Sequence, residues 1–368
     1  VRSSRSEEAY TAAATSVAVM DRSVRGRFEV KGRSPVQMLG GILTASVPPS
    51  PVRSEPGVFV GRAAYSAVLT PKGRMITDLR VLRTDVASSP ALAGSPPSEE
   101  TRERLLLDVP YAGRAGLADH LGRSLPPRLA RVEDVSEETG LLTVLGPDGA
   151  DLLTREALGL RVESAVLQGL EEGDYVVVAS GGGEGITVLR TAEVATPAFD
   201  VIGDGVTIQA LRARLLEVGA VELDEGGWET LRVEAARPAF GFDMDEDTLP
   251  VEAGIHQRAI DYEKGCYTGQ EVIVRIRDRG HVNRHLRGLK LGDAPPPRRG
   301  TELFAPATRG DTAVGVVTSA ARSPRLGETL GLGYVRRGIE PGERIRVGEP
   351  GGVEGLVSEL DGAWASTG

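Results

Sequence analysis

Only one cysteine, Cys266, occurs in 368 residues. A single thiol excludes an internal disulfide and suits a reducing compartment. Lysine is almost as scarce, standing only at Lys31, Lys72, Lys264 and Lys290. Arginine far outnumbers it, which reads as a GC-rich coding bias rather than as function. A long apolar run is also missing: nothing approaches the roughly 20 residues that a membrane-spanning helix needs, so no membrane partner is expected. The stretch 12–20 is apolar, but Glu7 and Glu8 precede it and spoil a signal-peptide pattern. The expected location is the cytoplasm. A net charge of -9 argues against a generally nucleic-acid-binding surface and leaves room only for a local basic patch. A chain of this length is expected to pack as two or three units.

What is present is a run of short, readable elements. Residues 1–20 are small, polar and charged, and read as a loosely ordered arm. Alternation over 27–31 predicts a strand. Ser34-Pro35 then offers an N-cap and a proline at the first helical position, followed by Val36, Leu39 and Leu43 at helical spacing. The β-rich runs 58–70 and 75–83, joined by Pro71-Lys72-Gly73-Arg74, predict a hairpin. Residues 86–103, mostly Ala, Ser, Pro and Gly without periodicity, read as a flexible insertion. Strands are expected over 105–109 and 141–145, and helices around Leu117, Leu121 and Leu125 and over 148–158. Strands at 175–180 and 186–189 flank Gly181-Gly182-Gly183-Glu184-Gly185. No Lys-Ser/Thr follows these glycines, so they read as a β-turn rather than a phosphate cradle.

Leu211, Leu215 and Val218 predict a helix over 208–218 that stops before Gly219, and 228–235 is expected to be helical as well. Asp243, Asp245, Glu246 and Asp247 lack the spacing of a calcium loop and read as solvated loop charges. Short strands at 286–291, 313–319, 329–336 and 344–347, separated by Gly/Pro turns, suggest a small antiparallel barrel.

The most informative stretch is Lys264-Gly265-Cys266-Tyr267-Thr268-Gly269-Gln270-Glu271. A nearby ammonium or a helix start lowers a thiol pKa and favours the reactive thiolate. Thr268-Gly269-Gln270-Glu271 fits a capping box, so a helix is expected just after the thiol. Val272, Val274 and Ile276 alternate with Ile273, Arg275 and Arg277, and propensity alone makes them a strand. The capping box favours the helix, which puts Arg275 and Arg279 on one face. Composition alone makes Cys266 a small buried residue in a turn. Cys266 with His281 and His285 offers at most three borderline ligands, short of a structural zinc site, and no metal is assigned.

That octapeptide resembles the signature of the YgfZ family of folate-binding proteins, relatives of the glycine cleavage T-protein (aminomethyltransferase). The residues from Leu231 through Ala235, with Pro238, Phe240, Gly241 and Asp243, resemble the same superfamily, as do 65–79 and 315–323. The likeness covers most of the chain from Gly26 onward. It implies an α+β, T-protein-like fold, with ferredoxin-like α/β subdomains around a central folate pocket over 21–280 and a C-terminal antiparallel β-barrel over 281–368. It also implies tetrahydrofolate as cofactor. Tyr65 and Asp78 match, at the same spacing, a tyrosine and a catalytic aspartate of the superfamily's hairpin; Thr77-Asp78 stands where the T-protein usually has Asp-Asp. That aspartate sits by the folate nitrogens and assists proton movement, which requires a tuned pKa. On their own, Asp78 also reads as a solvated strand residue and Tyr65 as a core aromatic. Arg232 resembles the arginine near the folate glutamate tail, a task suited to a planar guanidinium; a surface salt bridge to Glu229 or Glu234 is the alternative. Phe240 aligns with an aromatic at the folate ring. Thr187 stands where the T-protein has a glutamate that contacts the pterin.

Three functions stay open. The resemblance implies a tetrahydrofolate-binding protein that supports assembly or repair of iron–sulfur enzymes, and through them tRNA modification. Cys266 is then the reactive thiol, Lys264 favours its thiolate, and folate lies beside Asp78. Its partners are iron–sulfur client or assembly proteins, without direct nucleic-acid contact. The second function is a folate-dependent aminomethyltransferase or demethylase, supported by Tyr65 and Asp78 and opposed by Thr187 and by the octapeptide, which the T-protein lacks. The third is an interaction module with a vestigial pocket. Whether the chain catalyses a reaction or acts as a scaffold is left open by these residues.

Overall fold

The computed structural model describes residues 4–85, 103–155, 160–180, 183–305, 312–348, 352–360 and 364. An antiparallel sheet runs in the order Ala64–Leu69, Met75–Arg83, Glu103–Val109, Gly26–Gly32 and Ala130–Asp134. Alternation along these strands divides their side chains between two faces. Phe28, Val30, Leu79, Val81, Leu105 and Leu107 pack under the helix Tyr111–Ser124, which closes the core with Leu117 and Leu121, four residues apart on one face. Leu82 and Leu106 point the other way and meet Leu141, Tyr175, Leu189 and Ile202 of a second sheet. Each such leucine removed from water contributes about 1.5–3 kcal/mol.

The second sheet has eight strands, in the order Val221–Glu222, Ala18–Asp21, Thr139–Leu145, Ala198–Asp204, Gly183–Thr191, Asp174–Ser180, Val58–Arg62 and Val52–Glu55. Its outer face is covered by the helix Gly205–Glu217 through Ile208, Leu211 and Leu215. Asp204 caps that helix by accepting from Thr207 N at 2.9 Å, and Gly219 just beyond it has φ +102. The helix Glu225–Glu234 follows.

Three local expectations are corrected. The arm expected over 1–20 is a helix, Ser4–Thr15, followed by the inner strand Ala18–Asp21. Ala9, Tyr10, Ala12 and Ala13 are buried with Leu223 and Leu231. Alanine is the best helix former, and its short side chain lets the helix lie close. The single strand expected over 58–70 is broken at Ala63. Val58–Arg62 belongs to the second sheet and Ala64–Leu69 to the first, with Ala63 N donating to Gly173 O at 2.7 Å between them. Among the described residues, the helix expected over 148–158 covers Gly149–Leu153 and ends before Thr154. The insertion expected over 86–103 lies outside the described residues except for Glu103, as do Gly181 and Gly182 of the glycine turn.

The barrel expectation holds. Arg284–Lys290, Glu328–Arg336, Ala313–Ser323, Glu302–Phe304, Arg344–Val347 and Val353–Ser358 close on themselves in that order, around Leu289, Leu303, Val317, Val335, Ile345 and Val357. Among the described residues no helix is long and apolar enough to cross a membrane.

Candidate functional site

The break at Ala63 opens a cavity of about 570 Å³ where the two sheets, the start of the helix Tyr111–Ser124, the helix Glu225–Glu234 and residues 237–242 converge. Its size is that of a small-molecule pocket. Tyr65 and Asp78 meet on its wall because of hairpin register. Tyr65 lies opposite Arg80, and Asp78 is two residues before Arg80 on the same strand, so the pair are diagonal neighbours on one face. The Tyr65 hydroxyl donates to Asp78 Oδ2 at 2.7 Å, while Oδ1 is buried without a partner. Burial pushes the Asp78 carboxyl up to about 6, against the pull of the Tyr65 hydrogen bond and of Arg25. Burial and the Asp78 charge hold the Tyr65 phenol well above its ordinary value. The Arg258 guanidinium lies 4.8 Å from the Tyr65 ring centroid and pairs with Glu172.

Beneath this pair runs a lattice of charge. Asp108 faces Arg80 across the sheet and accepts from Arg80 Nε at 2.7 Å, and from Arg25 Nε and Nη2 at 2.8 and 2.7 Å. The second sheet contributes Asp200, which accepts from Arg80 Nη1 at 2.5 Å and from Thr143 Oγ1 at 2.5 Å. Arg22 reaches Asp200 Oδ1 at 3.4 Å, bonds Glu193, and stacks 4.0 Å over Trp228. Three guanidinium groups thus balance three carboxylates. Burial alone would raise the Asp108 and Glu193 carboxyls. The arginines override it, holding Asp108 far below the usual carboxylate range and Glu193 down at about 2. Sequence reasoning missed this lattice. The available signal was a lone aspartate inside each apolar strand, Asp108 after three leucines and Asp200 between Phe199 and Val201.

The other expected site residues are placed differently. Arg232 borders the cavity, but its guanidinium is spent: it pairs with Glu229 at 2.6 Å and Asp243 at 2.7 Å, and donates to Ser319 Oγ at 2.7 Å. The surface salt-bridge alternative holds only in naming Glu229: Arg232 is buried, and Asp243 is its deeper partner. Asp243 in turn corrects the solvated-charge reading. It is 3 % exposed and accepts from Thr318 and Ser319 of the barrel. Phe240 also borders the cavity, yet it packs among Leu69, Met75, Met244 and Tyr267; the exposed rings at the mouth are Phe242 and Tyr111. Thr187 pairs with Val177 and Ile202 inside the second sheet and does not line the cavity; Glu193, beyond the end of that strand, does.

The octapeptide lies away from the cavity lining. Lys264 Nζ donates to the carbonyls of Gly40, Leu43 and Ala45 at 2.9, 2.6 and 3.0 Å, so its ammonium ties down the end of the helix Pro35–Gly40 instead of serving the thiol. Cys266 is exposed. A helix does follow, Gln270–Arg279, but it starts from Gly269 at φ +86 with no side-chain cap, so the capping box is not formed. Among the described residues no cluster of His, Cys, Asp and Glu is arranged to hold a metal ion.

Residues 2–264 match the GCVT N-terminal domain family, and residues 284–355 match the glycine cleavage T-protein C-terminal barrel domain family. An aminomethyltransferase of Rubrobacter xylanophilus is 29% identical over 340 residues, spanning 92% of this chain and 82% of that protein. An aminomethyltransferase of Bacillus subtilis is 23% identical over 341 residues, spanning 91% and 84%. The crystal structure of the glycine cleavage system aminomethyltransferase T from Bartonella henselae superposes with a TM-score of 0.77 at 19% identity, covering 96% of this chain and 87% of that one. These relatives carry the name aminomethyltransferase rather than YgfZ. With both domain families in chain order over a T-protein fold of mixed α/β sheets and a closed barrel, the chain belongs to the glycine cleavage T-protein family.

Proposed function

We propose that this chain binds a reduced folate, tetrahydrofolate, in the cavity between its sheets and transfers a one-carbon unit there as a folate-dependent aminomethyltransferase. The observation that carries this reading is Asp78, a buried carboxylate with one oxygen held by Tyr65 and the other free, on the wall of a cavity of ligand size. A buried acceptor left without a partner is costly, and a ligand donor would complete it. When bound, the folate supplies the nitrogens that carry the one-carbon unit. The chain supplies the proton chemistry: with its carboxyl at about 6, Asp78 takes or returns a proton at Oδ1 near neutral pH, and Tyr65 fixes its orientation through Oδ2. Phe240 lends an apolar wall, Phe242 and Tyr111 offer ring faces at the mouth, and Arg232 acts by holding the 237–243 segment in place. The name of the relatives supports this chemistry, at 23% to 29% identity for those given above.

A second reading, support of iron–sulfur enzymes together with assembly or client proteins, rests on the octapeptide and on one observation: Cys266 is exposed and does not line the cavity. Under either reading the lone cysteine suits the cytoplasm.

The test is calorimetric titration of tetrahydrofolate, under reducing conditions, into wild type, Asp78→Asn and Cys266→Ser, with an assay for methylenetetrahydrofolate formed from an aminomethyl donor. Binding that weakens in Asp78→Asn and is unchanged in Cys266→Ser, with turnover lost by at least about 100-fold only in Asp78→Asn, is the expected result. Folate binding without turnover in wild type moves the protein to the second reading. No binding in well-folded wild type removes the folate reading altogether and leaves an interaction module with a vestigial pocket.

A further inference from the structure

The cavity has a second carboxylate that the proposed proton chemistry does not use. Glu193 stands just beyond the strand Gly183–Thr191, on the wall formed by the second sheet. Its Oε2 is bonded by Arg22, which is itself fixed by Asp200 and by stacking on Trp228. Its Oε1 lies 3.6 Å from Arg80 and accepts no hydrogen bond among the described residues. The side chain is 28% exposed, whereas those of its lattice partners Asp108 and Asp200 are fully buried. Asp78 repeats the pattern in part, with one oxygen committed to Tyr65 and the other buried without a hydrogen-bond partner. The cavity wall therefore carries two carboxylates, each with one oxygen hydrogen-bonded by protein and one that accepts no hydrogen bond among the described residues. An ionised carboxylate can only accept, and Arg22 and Arg80 favour the ionised form of Glu193. Its complement is a nitrogen that donates N–H, above all one that carries positive charge.

We propose that Glu193 is a ligand-binding carboxylate whose Oε1 accepts a hydrogen bond from a protonated or N–H-donating nitrogen, so that the cavity selects nitrogen-rich ligands. That chemistry belongs both to the edge of a reduced pterin and to an alkylammonium one-carbon donor. The pterin case rests on the folate reading above; the ammonium case stands without it.

The experiment titrates wild type, Glu193→Gln and Glu193→Asp with two probes, tetrahydrofolate and dimethylammonium chloride, the latter against potassium chloride at equal ionic strength. Glu193→Asp keeps a charge for Arg22 but withdraws the carboxylate by one methylene, so it serves where Glu193→Gln fails to fold. A hydrogen bond to a charged acceptor corresponds to a loss of roughly tenfold or more in affinity. A loss of that size for tetrahydrofolate, in a variant that still unfolds cooperatively above the titration temperature, identifies the pterin nitrogen. A loss confined to dimethylammonium identifies an amine donor. If wild type binds dimethylammonium but not tetrahydrofolate, the folate reading fails while the ammonium arm still decides Glu193. Wild-type affinity for both probes in a folded variant overturns the proposal, as does wild type that binds neither probe.

Discussion

At Asp78 the cost of burial is put to use. Its carboxyl is raised from the usual 3.8 to about 6, a difference worth about 3 kcal/mol between its two protonation states. The folded chain holds this proton to higher pH than the unfolded chain does. Its stabilising contribution is therefore complete below about pH 4 and lost as pH rises to about 6; above that the fold carries a buried anion. Asp78→Asn keeps an acceptor for Tyr65 and removes that anion. Thermal denaturation is expected to find the variant close to wild type at pH 4 and more stable at pH 8, by up to about 3 kcal/mol. An equal loss at both pH values would show that the Asp78 carboxylate is not strained in the fold. The same ionisation governs proton acceptance, so one-carbon turnover should rise with pH through about 6 in wild type only.

Among the elements, the octapeptide shows how one motif supports two physical readings. Its Lys264 and Gly269 read as thiol chemistry and a helix cap in the sequence, and act as a clamp in the fold. Gly269 has φ +86, and a Cβ there would come within 2.6 Å of the Thr70 carbonyl oxygen in the hairpin turn. The clamp therefore sets the hairpin that carries Tyr65 and Asp78. Gly269→Ala is expected to destabilise by about 1–3 kcal/mol from backbone strain, with the close contact adding to it. Thr268→Val, which would cost about 1 kcal/mol if Thr268 were an N-cap, is expected to stay within about 0.5 kcal/mol. Chemical denaturation of the two variants side by side separates clamp from cap. The helix Gln270–Arg279 forms against its β-branched propensity because Ile273 is buried with Leu69 and Met75, while Glu271 at its start and Arg277 and Arg279 at its end suit the helix dipole.

Across the whole molecule, two polar junctions hold the parts in register. Arg232 and Asp243 join the helix Glu225–Glu234 to Thr318 and Ser319 of the barrel. The six-charge lattice joins the two sheets beneath the cavity. Its carboxylates titrate below their unfolded values at Asp108 and Glu193, so their contribution is present above about pH 4 and lost as pH falls. Asp108→Asn leaves Arg25 and Arg80 sharing a neutral partner. It is expected to destabilise by about 3–5 kcal/mol at pH 7, and by less at pH 3, measured by urea unfolding. A loss under about 1 kcal/mol at pH 7 would mean that solvent already screens the lattice.

Much of this protein was determined by the chain itself. The stop at Gly219, the turn Pro71–Arg74 and the alternation of the barrel strands act over a few residues, where backbone sterics and local hydrogen bonds decide conformation. The Tyr65–Asp78 pair was legible for the same reason, since hairpin register converts a fixed spacing into a diagonal contact. Only tertiary structure decided that Lys264 serves three carbonyls, that Arg232 is consumed by Asp243, that the run 58–70 divides between two sheets, and that Glu193 faces the cavity. Each of those outcomes depends on charges or carbonyls brought together from segments distant along the chain. Their pairing is settled by burial and electrostatics in the folded interior, which no local periodicity encodes.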